Sequence, residues 1–121
     1  MTARLLCMGL AFWGAGAFLL RWFGADVISP EHIAITLATY AVSFIAMAAV
    51  VPAVFTSMRI TRALWFRSAA LLMLPSLILD ALTQLAFSRA YPNMSESAAG
   101  LFGGLILACC AGALIGVWVR E

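Results

Sequence analysis

Charged residues divide this chain into four long uncharged stretches, and that division constrains its fold more than any other feature. Residues 5–20, 33–58 and 97–119 carry no charge, and residues 68–88 carry only Asp80. Each stretch approaches or exceeds the roughly 20 residues a helix needs to cross the hydrocarbon core of a bilayer. Hydrophobic residues make up 65% of the 121 and charged residues 10%, against roughly 45–50% and about 25% in soluble domains. A soluble domain of this size could not hide so much apolar surface, and disordered chains have the opposite composition. In hydrocarbon only helices and closed barrels satisfy their backbone groups, and these stretches lack the alternation of barrel strands. The sequence therefore reads as an all-α integral membrane protein. It forms one transmembrane domain over residues 1–121, with spans at about 4–23, 30–58, 63–87 and 96–119.

The connections are short, which favours antiparallel neighbours and an up-down four-helix bundle. Ser29-Pro30-Glu31 has the pattern of a helix start, with serine as N-cap, proline at the first position and an acid in the first turn. Tyr91-Pro92-Asn93 reads as a turn between spans three and four. Pro52 and Pro75 fall inside spans two and three, where each removes a backbone donor and crowds the preceding turn. A cleavable leader is the rival reading of the first span, but the apolar stretch continues through Phe18, Leu19 and Leu20. Arg4, Arg59, Arg62, Arg67 and Arg120 lie on the side that holds both termini, and Arg21 and Arg89 on the other. That excess predicts cytoplasmic termini. Arginine without lysine, in an alanine-rich chain, points to a bacterial source and hence to the inner membrane.

Asp80 is the one ionisable residue inside a span, where an aspartate costs roughly 2.5–3.5 kcal/mol near the centre. Ser76, Asp80 and Gln84 share one helix face, with Thr83 alongside. Span two has a polar face in its outer half through His32, Thr36, Thr39, Tyr40 and Ser43. If the two faces meet, they form an outward-opening pocket with Asp80 at its floor, paired with Thr36, Thr39 or Tyr40, or with Arg21 reaching down. Ser76, Thr83, Gln84, Asp80, Tyr40, Thr36 and His32 are then the candidate binding or proton site. A buried carboxyl that merely ties helices together is the plainer alternative.

Span four carries small residues every fourth position, at Gly100, Gly104, Ala108, Gly112 and Gly116. Such stripes let backbones approach closely in lipid, where no hydrophobic drive pushes helices together. The stripe predicts packing inside the bundle, or association with a second copy or a membrane partner. Arg59, Arg62 and Arg67 are candidates for contact with anionic lipid headgroups. His32 has no second histidine to make a metal site. Cys7, Cys109 and Cys110 lie in apolar stretches, so neither a disulfide framework nor a cofactor site is expected. No nucleophile-and-base pair, phosphate loop or carboxylate pair appears, and a net charge of +2 without a basic stripe argues against nucleic acid. The leading expectation is a non-enzymatic membrane protein that packs or associates through span four. A small proton-coupled transporter or channel using Asp80 is the alternative.

Leu74-Pro75 followed by Leu79-Asp80, then Tyr91-Pro92-Asn93, then Ala98-Ala99-Gly100-Leu101-Phe102-Gly103 form a recognisable series. In these residues the chain resembles a family of uncharacterised four-span bacterial membrane proteins. The resemblance implies the four-span architecture and draws attention to Asp80 and the Pro92 loop. It implies no activity.

Overall fold

The computed structural model describes residues 1–120. Four helices are long and apolar enough to cross a membrane. Helix α1 spans Thr2–Val27 and α2 spans Ile33–Ser57. A 3₁₀ turn at Arg62–Leu64 leads into α3, Trp65–Leu85. A short α4, Phe87–Ala90, and a second 3₁₀ turn, Glu96–Ala98, lead into α5, Ala99–Arg120. This is the all-α four-span bundle, with α5 as the fourth span.

Two boundaries differ from the sequence reading. Span two begins at Ile33 with His32 at its N-cap, and Ser29 caps nothing. The Thr36 hydroxyl accepts from the Ser29 N–H at 3.0 Å and donates to the Ser29 carbonyl at 3.1 Å. That pair of hydrogen bonds holds Ser29 in the connecting loop. Span three ends at Leu85 because Ala86 leaves the helical region (φ −130°, ψ 45°), and residues 87–90 form a separate turn of helix.

The larger difference lies in which helices pack. Short connections make sequence neighbours the expected partners, but the extensive contacts are α2 with α5 and α1 with α3. Both pairs are parallel: Tyr40, Phe44 and Ala48 meet Gly104, Gly112 and Gly116 in the same order. Glycine placement decides this. A Cβ at Gly112 would lie 2.9 Å from the Phe44 Cα, and one at Gly116 would lie 2.6 Å from the Ala48 Cα. The Ala48 carbonyl is the one whose helical donor Pro52 lacks, and the Gly116 Cα sits against it. In α1, Gly9 lies against the Pro75 ring and the Leu72 carbonyl, the neighbour of the Leu71 carbonyl that Pro75 leaves without a helical donor. Each intrahelical proline thus stands beside a glycine of the partner helix, whose Cα–H can approach the disturbed turn.

The helices follow one another as α1, α3, α5, α2, and the seam between α2 and α1 is barely closed. Two packed clusters stabilise the ends. Leu5, Val51, Phe55, Trp65, Ala69, Leu72 and Val117 fill the end that holds the chain termini. At the opposite end Ile28, Phe87, Tyr91, Met94, Ala98, Phe102 and Leu105 pack together, with the Phe87, Tyr91 and Phe102 rings 4.9–5.6 Å apart. The outer surface exposes Phe18, Leu37, Val42, Ile45, Leu107 and Trp118, the apolar face that contact with a lipid bilayer requires.

At the end of α2, Arg59 adopts φ 56°. The Ile60 N–H returns to the Phe55 carbonyl and the Arg59 N–H to the Thr56 carbonyl, a Schellman closure that normally uses glycine. Arg62 donates to the Arg120 carbonyl at 3.0 Å and lies 5.6 Å over the Trp65 ring, so it ties α3 to the end of α5. Arg67 is exposed.

Thermal unfolding in lipid discs should separate the members of the small-residue stripe. Gly112→Ala and Gly116→Ala should each lose about 1–3 kcal/mol through overpacking. Gly100→Ala, with open space around it, should be neutral or up to about 1 kcal/mol more stable. Equal effects at all three positions would contradict the packing described. Arg59→Gly should gain up to about 1 kcal/mol by relieving the left-handed conformation, and a loss of stability there would show that the arginine side chain outweighs its backbone cost.

Candidate functional site

Between the two packed clusters lies a cavity of about 360 Å³ bounded by all four long helices. Small residues on α1 (Gly16, Ala17) leave the space, and Phe12, Leu72, Met73 and Leu105 supply an apolar wall. The polar atoms converge on one place. Asp80 is half-buried in the wall, and the Trp13 Nε1–H donates to its Oδ1 at 2.9 Å. Ser76 lies one turn below Asp80, Thr39 and Ser43 approach from α2, and Cys109 and Cys110 line the α5 side. Among the described residues no arginine lines the cavity.

The expected meeting of two polar faces is corrected in its details. Asp80 takes its hydrogen bond from span one, and the polar residues that span two supplies to the cavity wall are Thr39 and Ser43, beside Met47. Thr36 is occupied with Ser29. Tyr40 donates to the Leu101 carbonyl, and its ring fills the space left by Gly104. Arg21 and Arg89 are both exposed. His32 is exposed beside Ser29, 3.4 Å from its hydroxyl, and stands apart from the cavity.

Within α3, Thr83 donates to the Asp80 carbonyl at 3.0 Å. Gln84 donates to the Ala99 carbonyl at 3.0 Å and so ties α3 to the start of α5. Of the seven candidate residues, the cavity gathers Asp80 and Ser76, while Thr36, Tyr40, Thr83, Gln84 and His32 hold backbone or stand at the surface. Tyr91 closes one end of the cavity from the loop after α4. Burial, reinforced by the charge of Asp80, pushes its phenol up to about 12, so it remains neutral at physiological pH. The loop itself is fastened to α1, where Asn93 donates to the Leu20 carbonyl at 3.1 Å.

Trp13 is the site residue the sequence reading passed over, because it counted as part of an apolar run. The available signal was the indole N–H, which seeks a partner when it is placed away from water. An acid within a span is the natural acceptor.

The chain belongs to a family of unknown function (DUF5367), whose match covers residues 27–121. Trp13 lies outside that match, whereas Asp80 and the Tyr91-Pro92-Asn93 loop lie within it. Neither a curated protein nor a solved structure matches the chain.

The Trp13–Asp80 bond is testable through a double-mutant cycle on unfolding in lipid discs. Trp13→Phe and Asp80→Ala should be non-additive, with a coupling of about 1–3 kcal/mol for a bond to an ionisable group. Strict additivity would show that the two side chains do not interact.

Proposed function

We propose that this protein is a small non-enzymatic, multi-pass protein of the bacterial inner membrane, with both termini in the cytoplasm, that works as a proton-coupled transporter or channel through Asp80. One observation carries the reading. The intramembrane acid lies in the wall of a cavity bounded by all four helices, where the neutral Trp13 indole is its one side-chain hydrogen-bond partner among the described residues. An acid serving only to tie helices together would be expected to use both oxygens on neighbouring elements, since each unmade bond in hydrocarbon is costly. Here Oδ2 receives no hydrogen bond among the described residues. A carboxyl in a cavity wall with one oxygen free of protein hydrogen bonds is suited to taking up and releasing a proton or a ligand.

Association with a second copy or a membrane partner through Gly100, Gly104, Ala108, Gly112 and Gly116 has less support. Gly112 and Gly116 are buried against α2, and Gly104 houses the Tyr40 ring. A partner using those positions would have to displace α2. Contact between Arg59, Arg62 and Arg67 and anionic headgroups fits the proposed orientation.

Proton flux under an imposed pH gradient, measured in proteoliposomes, tests the role of Asp80. The intact protein should pass protons at least about tenfold faster than Asp80→Asn, a difference equivalent to about 1.4 kcal/mol in the barrier. The other titratable groups along the cavity are the Tyr91 phenol and the Cys109 and Cys110 thiols, so Tyr91→Phe and a cysteine-free variant should retain the flux. Equal rates for the intact protein and a folded Asp80→Asn would sink the reading.

A further inference from the structure

We infer that the cavity binds a protonated amine with an apolar body, which enters from the bilayer through the seam between α1 and α2. This rests on the reading of Asp80 as a binding site and adds the class of ligand.

Charge selects the ligand. Among the described residues the cavity offers one carboxyl and no cationic side chain, and Trp13 occupies Oδ1 alone. A neutral ligand would leave an ionised Asp80 without a counter-charge in a low-dielectric wall, which is costly. A cation removes that cost, and one bearing N–H adds a charge-assisted hydrogen bond to Oδ2. Inorganic cations suit the site poorly. Hard metal ions take six or more oxygen ligands, and among the described residues no three of His, Cys, Asp and Glu gather to hold a metal. Apart from Asp80 the nearby oxygens are the hydroxyls of Ser76, Thr39 and Ser43, and the remainder of the lining is largely aliphatic and aromatic. An ammonium head on an apolar body matches both parts. The aromatic rings of Trp13, Phe12 and Phe102 add a face on which a cation is stabilised.

Access follows from packing. Three of the four seams around the bundle are closed by helix pairs in contact, and α1 and α2 hardly touch. Both ends are filled by the packed clusters, so the side of the bundle is the open route. The proton balance is simple. A neutral amine arriving through lipid takes the proton of a protonated Asp80; the carboxyl O–H breaks and an N–H forms, which yields the same ion pair as an ammonium meeting a carboxylate. Departure as the ammonium carries that proton away, and departure as the neutral amine returns it to Asp80.

Binding is read directly on the intact protein in lipid discs, by scintillation proximity with a tritiated probe and protein-free discs as the blank. The probe is 4-phenylbutylamine, competed with unlabelled 4-phenylbutan-1-ol, which has the same shape and a donor but no charge. The amine should bind saturably and about tenfold or more tightly than the alcohol. Asp80→Asn should abolish the preference and Asp80→Glu should retain it. Equal affinity for amine and alcohol, or no saturable binding of the amine, would overturn the amine inference. Both outcomes are read on the unaltered protein, so they do not depend on a variant folding. The Asp80 reading itself is decided separately, by the proton-flux comparison.

Discussion

The contact of the α2 backbone with α5 at Phe44 and Ala48 is the constraint on which the rest of this bundle depends. Lipid supplies no hydrophobic drive between helices, so association relies on van der Waals fit and on polar groups that find partners. Gly112 and Gly116 provide the fit by removing the Cβ atoms that would meet the opposing backbone. Pro52 contributes from the other side, because its missing N–H frees the Ala48 carbonyl against which Gly116 lies. In the α1–α3 pair Gly9 instead packs on the Pro75 ring itself and on the adjoining Leu72 carbonyl. A proline that weakens its own helix thereby becomes a point at which another helix can approach.

Pairing α2 with α5 and α1 with α3 has a geometric consequence. Two parallel pairs, joined through α3 and α5, leave α1 and α2 at the free edges of the arrangement. Large side chains fill the two ends, where Phe55 and Trp65 pack at one and Phe87, Tyr91 and Phe102 at the other. Between them Gly16 and Ala17 are too small to close the middle. The cavity is therefore a product of where bulk is absent. Asp80 reaches it because it lies one turn above Ser76 on the face of α3 that Trp13 of α1 meets.

The polar residues of α2 show how a shared face can mislead. Thr36, Thr39 and Tyr40 have helical spacing and suggest one polar stripe, but backbone groups of other segments claim them. Thr36 holds Ser29, Thr39 lies 2.7 Å from the Val27 carbonyl, and Tyr40 takes the Leu101 carbonyl. The Ser29 and Val27 carbonyls, in the loop and at the end of α1, have no intrahelical donors and must be satisfied inside a membrane protein, whereas Tyr40 adds a second donor to a carbonyl in the first turn of α5. Spacing identifies polar residues on one face without identifying the acceptors opposite them.

The four spans, the all-helical class and the singularity of Asp80 were legible in the sequence, because each follows from local composition: apolar length decides crossing, and a lone acid within such a length stands out. The small-residue stripe on the fourth span was legible as well, but its partner was not. Which helix fills the groove beside Gly112 and Gly116 depends on the matching surface of another segment more than sixty residues away in the chain, and periodicity within one helix carries no information about it. The same holds for Trp13. Its indole and the Asp80 carboxyl are 67 residues apart, and only the parallel pairing of α1 with α3 brings donor to acceptor. Local chemistry determined what each helix is; the fit between distant backbones decided which helices meet, and through that the cavity and the partner of its acid.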